Sequence, residues 1–174
     1  ALSAVLPDRL WNEVVIAPMR SSKYPRKTIT TVIPIDKDFA MFAGLWLADG
    51  SYDKHSVIVS VVDEESRGVV RRVAERFGCS VKMHSDGISL MINSTMLKRL
   101  MQKVLELNGD AYTKKVPSWV FSSKKNIAAG LINGYFSGDG WVKKHEVAVA
   151  SCSLQLLKDM QTLLLRFGII LRFT

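Results

Sequence analysis

Cysteine is scarce in this chain: 174 residues hold two, Cys79 and Cys152. They form neither a CxxC pair nor a zinc spacing, so the fold does not rest on a disulfide framework or a structural metal. Both read as small core residues of a reduced, intracellular protein. Proline is scarce too, and four of the five (Pro7, Pro18, Pro25 and Pro34) fall in residues 1–35. No apolar run reaches the roughly 18 residues that a bilayer span needs. The N-terminal stretch ALSAVLPDRLWNEVV lacks a basic segment followed by a long apolar one, so it is not expected to be a secretory signal. Acidic residues are outnumbered, 16 against 24 Lys plus Arg, for a net charge of +8. That excess favours an acidic partner, of which nucleic acid is the commonest. A membrane surface fits less well, because the basic residues are scattered in pairs such as Lys114–Lys115, Lys124–Lys125 and Lys143–Lys144 rather than lining one helix face.

What is present is an ordinary globular composition, 48% apolar and 23% charged, in about one domain's length. Within it lies a repeat. Shifted by 90 residues, positions 44–83 match 134–173 at ten places: Gly44, Asp49, Gly50, Lys54, His55, Val57, Val59, Arg76, Phe77 and Gly78 fall on Gly134, Asp139, Gly140, Lys144, His145, Val147, Val149, Arg166, Phe167 and Gly168. Chance would give about two or three. Each copy reads as an apolar, buried helix ending at Asp-Gly, with the glycine as a left-handed cap or turn. An alternating strand follows (HSVIVSV, HEVAVAS), then an amphipathic helix stopped by Gly78 or Gly168, then a strand (CSVKMHS, IILRFT). The first copy continues into DGISLMINS and the helix TMLKRLMQKVLEL; the second reaches Thr174 before any of that. The predicted fold class is therefore α+β, a pseudo-two-fold repeat of αββαββα units with the second repeat incomplete. The expected divisions are 1–35 as an arm or extra edge, 36–125 as the first repeat and 126–174 as the second.

Two similar buried helices are expected to pack on each other. Ala43, Gly44 and Ala48 in one, and Asn133, Gly134 and Gly138 in the other, would let their backbones approach. Glycine inside a helix costs about 1 kcal/mol against alanine, and close packing is the simplest compensation. Such packing would bring together Asp49 and Asp139 at helix C-termini, where both their mutual repulsion and the helix dipoles are unfavourable. A hard divalent cation such as Mg²⁺ resolves both, and beside a phosphate it supports hydrolysis. One Asp-Gly alone is a common turn; two at equivalent places, each closing a buried helix, point to a shared site.

FAGLWLADG (42–50) resembles the LAGLIDADG signature, and INGYFSGDG (132–140) resembles its second copy. The chain is thus similar to the LAGLIDADG homing endonuclease family, in its single-chain, two-motif form. The segment YTKKVPSWVFSSKKNIAAGLINGYFSGDG looks more like the intein-associated branch, in which a lysine three residues before a proline precedes the second motif. Lys114 holds that place before Pro117. The resemblance implies paired LAGLIDADG helices carrying antiparallel, saddle-shaped sheets along the major groove of double-stranded DNA at a long specific site. It implies a hydrolase held to Mg²⁺, or Mn²⁺ in its place, by Asp49 and Asp139 with the carbonyls of Ala48 and Gly138, and a catalytic role for Lys114. DNA contacts are implied at Ser51, Tyr52, Lys54, His55 and Lys82 in the first copy, and at Trp141, Lys143, Lys144, His145 and Arg172 in the second. Some relatives of this fold bind nucleic acid without cutting it, as RNA-splicing maturases or transcription regulators, and that is the alternative.

The second copy is about 40 residues shorter than the first. A homodimer, a domain-swapped partner or residues 1–35 are the expected ways to complete it. With Ala1 and Thr174 at its ends, the chain is not expected to splice.

Overall fold

The computed structural model describes residues 15–16, 29–30 and 32–173. Strands β1 (Val15–Ile16) and β2 (Ile29–Thr30) pair antiparallel with each other; most of the expected arm lies outside the described residues. Asp36 then opens helix α1 (Lys37–Asp49) by accepting the Phe39 amide at 2.9 Å. The helix is apolar on every side, and Phe39 through Leu47 are all buried. Strands β3 (Gly50–Tyr52) and β4 (Ser56–Ser60) follow, then helix α2 (Glu64–Arg76), whose cap Asp63 accepts the Ser66 amide at 2.8 Å. Strands β5 (Val81–Met83) and β6 (Ser89–Asn93) lead to helix α3 (Thr95–Lys103), and a short helix α4 (Ser118–Phe121) precedes α5 (Lys125–Asp139). Strands β7 (Gly140–Lys143) and β8 (Glu146–Val149) and helix α6 (Leu154–Leu165) close the order. The protein is α+β with antiparallel sheets.

Helices α1 and α5 pack backbone against backbone. A methyl added at Gly44 would stand 2.1 Å from the Leu131 carbonyl oxygen, and one at Gly134 would stand 2.0 Å from that of Met41. Gly130, absent from the sequence-based expectation, does the same against Lys37 O at 2.7 Å. Asn133, expected at this seam, is largely exposed but reaches across it, its side-chain amide donating to Met41 Sδ at 3.8 Å.

The first sheet has the order β3-β4-β6-β5. Its register aligns Tyr52, Val57, Ile92 and Val81 in one row and Gly50, Val59, Leu90 and Met83 in another. These rows turn toward the core: Val57, Val59 and Ile92 are fully buried. The alternate row, Ser51, Ile58, Met91 and Lys82, lies on the opposite face.

The second sheet consists of β7 and β8, and here an expectation is corrected. Residues 169–173 form no strand. In the first copy the matching strand β5 pairs with β6 alone, and among the described residues from 126 onward no counterpart of β6 is present to receive it. The consequence shows at matched positions. Val57 is fully buried, whereas its repeat mate Val147 is 65% exposed and the neighbouring Val142 is 79% exposed. A second correction concerns Cys152: Cys79 is buried as expected, but Cys152 is exposed, because it falls in the connection between β8 and α6.

Candidate functional site

The site begins where α1 and α5 end. Each helix runs to its aspartate and each chain then leaves directly as a strand. Gly50 and Gly140 do not adopt the left-handed conformation expected of them; their φ values are −101° and −85°. They are glycines for space. A methyl at Gly50 would lie 2.5 Å from the Trp46 carbonyl oxygen, and one at Gly140 would lie 2.3 Å from that of Phe136. The same carbonyls accept the amides of Gly50 and Gly140, so the strand folds tightly over the last helical turn.

At this end the two helices touch through the residues just before the aspartates, since a methyl at Gly138 would stand 2.5 Å from Cβ of Ala48. The contact brings Asp49 and Asp139 into electrostatic range of each other and of Lys114. Asp49 is exposed and Asp139 half-buried. Burial raises the Asp139 pKa above the usual carboxylate range, the Asp49 charge raises it further, and Lys114 opposes both.

Lys114 comes from the connection between α3 and α4. A turn fixes its main chain: Asp110 accepts the amides of Tyr112 and Thr113, and its carbonyl accepts the Lys114 amide at 3.0 Å. The Lys114 carbonyl in turn accepts the Ser153 hydroxyl at 2.6 Å, the same hydroxyl that caps α6. The side chain is 5% exposed. Its ammonium donates to the carbonyls of Trp46 (2.9 Å), Gly50 (2.8 Å) and Ala48 (3.4 Å), and lies 4.8 Å from the centre of the Trp46 ring. Burial pushes its pKa down to about 8, while Asp139 and then Asp49 work against that shift.

The donors fit a hard cation. They are two carboxylates and main-chain carbonyls, all oxygen. Among the described residues no group of three or more His, Cys, Asp or Glu gathers anywhere as a ligand set. Mg²⁺ is commonly held by one or two carboxylates, with water and substrate phosphate completing its shell. Of the two expected carbonyl ligands, that of Ala48 already accepts from Lys114.

The expected DNA contacts divide by face. Ser51 and Lys82 share the outward row of the first sheet, and alternation puts Trp141 and Lys143 on the matching face of β7. Lys54 and His55, and Lys144 and His145, occupy the exposed turns of the two hairpins. His55 is engaged with Thr95 Oγ1 at 3.2 Å, and Lys143 stands 3.8 Å from Glu146. Arg172 is exposed but belongs to no strand. Tyr52 differs from these: it sits in a core-facing row, its ring 4.8 Å from Trp46 and its hydroxyl donating to the Leu107 carbonyl at 2.6 Å.

Two neighbours of the site carry no sign of a role there in the sequence. Trp46 forms one wall around the Lys114 ammonium. Tyr135, one turn before Asp139, is fully buried, and burial pushes its phenol up to about 12. Both read from sequence as interchangeable apolar positions of a buried helix, so no spacing distinguished them.

The family model described as a LAGLIDADG-like domain matches residues 36–106 and 126–173. Among curated proteins, the chain is 32% identical over 151 residues to the DNA-directed RNA polymerase subunit Rpo1C of Methanocaldococcus jannaschii, covering 82% of this chain and 17% of that protein. It is 32% identical over 155 residues to the DNA polymerase II large subunit of Thermococcus kodakarensis, covering 84% and 9%. It is 33% identical over 141 residues to a probable translation initiation factor IF-2 of the same organism, covering 76% and 12%. The chain thus spans less than a fifth of the length of these relatives. The family match takes in both apolar helices, both aspartates and the strands that leave them, and by that match the chain belongs to the LAGLIDADG-like domain family.

Proposed function

We propose that this chain is a single-chain, two-motif endonuclease that hydrolyses both strands of DNA at a long specific site, with Mg²⁺ or Mn²⁺ between Asp49 and Asp139. The observation that carries the reading is the junction itself: two carboxylates at the ends of helices in main-chain contact, with one buried ammonium beside them. Asp49 and Asp139 would hold the ion, with the Gly138 carbonyl better placed to assist than that of Ala48, which Lys114 already engages. A divalent ion there would neutralise phosphate charge and acidify bound water. The residues of the chain do the rest. The helix contact fixes the carboxylate spacing, Lys114 balances part of their charge, and the outward rows of the sheets, with the basic hairpin turns, hold the duplex across the junction. The net charge of +8 suits that partner.

The intein-associated origin belongs to the same proposal. The relatives named above carry the names of proteins with unrelated tasks, and in each the similarity is confined to a small fraction of the length. A segment shared in that way is a self-contained insertion rather than part of any one host's machinery.

The test is selection of cleaved sequences from a random duplex library with Mg²⁺, run beside a chain carrying Asp49→Asn and Asp139→Asn. The expected result is a discrete cut site, lost in the double variant while binding persists. Cleavage that survives both substitutions overturns the assignment. A second reading, a nucleic-acid-binding module without chemistry, draws on the two-stranded second sheet, which offers less surface than the first. Nicking of plasmid with Mg²⁺ but not with Ca²⁺ decides for the nuclease.

A further inference from the structure

The first sheet sets its two central strands, β4 and β6, across the middle of its outward face. Alternation turns Ser56, Ile58 and Ser60 outward from β4, and Ser89, Met91 and Asn93 outward from β6. The four polar side chains among them already have partners within the sheet. Ser56 Oγ donates to Asn93 Oδ1 at 2.7 Å. The Ser60 hydroxyl bonds that of Ser89 at 2.9 Å, and Ser89 donates on to Asp86 at 2.6 Å. Ser56 and Ser89 are buried besides. What remains is Ile58 and Met91, which stand directly opposite each other in the register. Both are half-buried, and neither packs against the core. Directly opposed residues of an antiparallel pair have Cβ atoms about 5 Å apart, so the two side chains make one apolar spot. Cations border it: Lys82 closes the same row on β5, and Lys54 stands in the exposed turn between β3 and β4.

We propose that Ile58 and Met91 are specificity-determining residues that read thymine through its C5-methyl group, so that one half of the duplex site is selected for A·T pairs by apolar contact. The inference rests on the duplex binding of the proposed function and names what the first sheet prefers within that duplex. In the major groove thymine alone offers a methyl group, whereas the edges of a G·C pair present only donors and acceptors. An apolar spot set against a G·C pair takes those groups out of water and returns no hydrogen bond. Set against thymine, it buries a methyl instead. The basic border suits the phosphates on either side of the groove, and so favours a duplex over another apolar surface as the occupant. The second sheet lacks the feature. The position matching Ile58 is Ala148, and among the described residues no counterpart of β6 lies beside it. Thymine reading by this means therefore belongs to the half of the site beneath the first sheet.

The experiment starts from duplexes recovered from a random library by binding in Ca²⁺, with affinity read by fluorescence anisotropy. Thymidine in the recovered duplex is replaced by deoxyuridine, one half of the site at a time, which removes methyl groups and nothing else. Wild type is compared with Ile58→Ala, Met91→Ala and the double variant, each checked by circular dichroism. The expected result is thymine enriched in one half of the site, with binding weakened about fourfold for each methyl contact removed there. In the double variant the preference for thymidine over deoxyuridine in that half disappears. A recovered site without thymine, or equal binding of the two duplexes by wild type, overturns the inference, and neither result needs a variant to fold. A preference that persists in the folded double variant places the methyl contact elsewhere and overturns it too. All three outcomes leave the proposed function standing. A duplex read as expected but never cut with Mg²⁺ overturns the nuclease reading and leaves this inference standing. A chain that binds no duplex overturns both.

Discussion

Ser51 and Tyr52 are adjacent in sequence and face opposite ways, and that difference carries testable weight. Tyr52 packs on Trp46 and donates to the Leu107 carbonyl. Tyr52→Phe is expected to cost about 1 kcal/mol in chemical denaturation, the usual worth of one such hydrogen bond, and to leave DNA affinity unchanged. A lowered affinity with unchanged stability would place the tyrosine at the DNA instead. Asp38 gives a prediction in pH. A hydrogen bond from Arg72 holds its pKa below the usual carboxylate value, and the Arg72 and Arg76 charges add to that. Because the folded pKa is the lower one, the stabilisation is present above the unfolded carboxylate pKa and fades as pH falls below about 4. The pair is partly exposed, so the effect is small and salt-sensitive. Asp38→Asn should lower the melting temperature at pH 7, and the difference from wild type should shrink as the solution is acidified.

At the level of elements, glycine means different things in different helices. In α5, Gly134 faces main chain, and Gly134→Ala has nowhere to put its methyl. It is expected to cost about 3 kcal/mol or more, because a carbonyl cannot move aside as a side chain can. In α2, Gly68 faces only the end of the Arg72 side chain at 3.3 Å. Gly68→Ala is expected to stabilise the protein by about 0.5–1 kcal/mol through helix propensity alone. Thermal melts of the two variants should move in opposite directions. The sequence announced the helix pair well, because Gly44, Gly134 and Gly138 stand out against an apolar background. It announced the strands equally well wherever alternation was strong, as in β4 and β8. It misled where pairing depended on a distant partner: residues 169–173 have the pattern of a strand and no neighbour to bond to. The candidate site was half legible. The two aspartates and Lys114 carry a recognisable spacing, whereas the Trp46 wall and the Ser153 anchor are long-range contacts that leave no local trace.

Across the whole molecule, positions that match in the repeat differ in environment. Val57 and Val147 occupy the same position in the two copies, one fully buried and the other 65% exposed. Val57→Thr buries a hydroxyl in an apolar layer and should cost about 1–3 kcal/mol, whereas Val147→Thr should stay within about 0.5 kcal/mol of wild type. Equal costs would mean that the second sheet is covered in solution. The chain also has no described helix long and apolar enough to cross a membrane.

Because α1 and α5 meet through main chain at Gly44, Gly130 and Gly134, no side-chain substitution along that seam can slide one aspartate relative to the other without breaking the pair. The sheet residues that would read bases stand on separate elements from that seam. On the proposed function, an engineer who rewrote Ser51, Lys82, Trp141 and Lys143 to retarget the protein would keep the offset between two cuts as a constant, with recognition adjustable and stagger inherited.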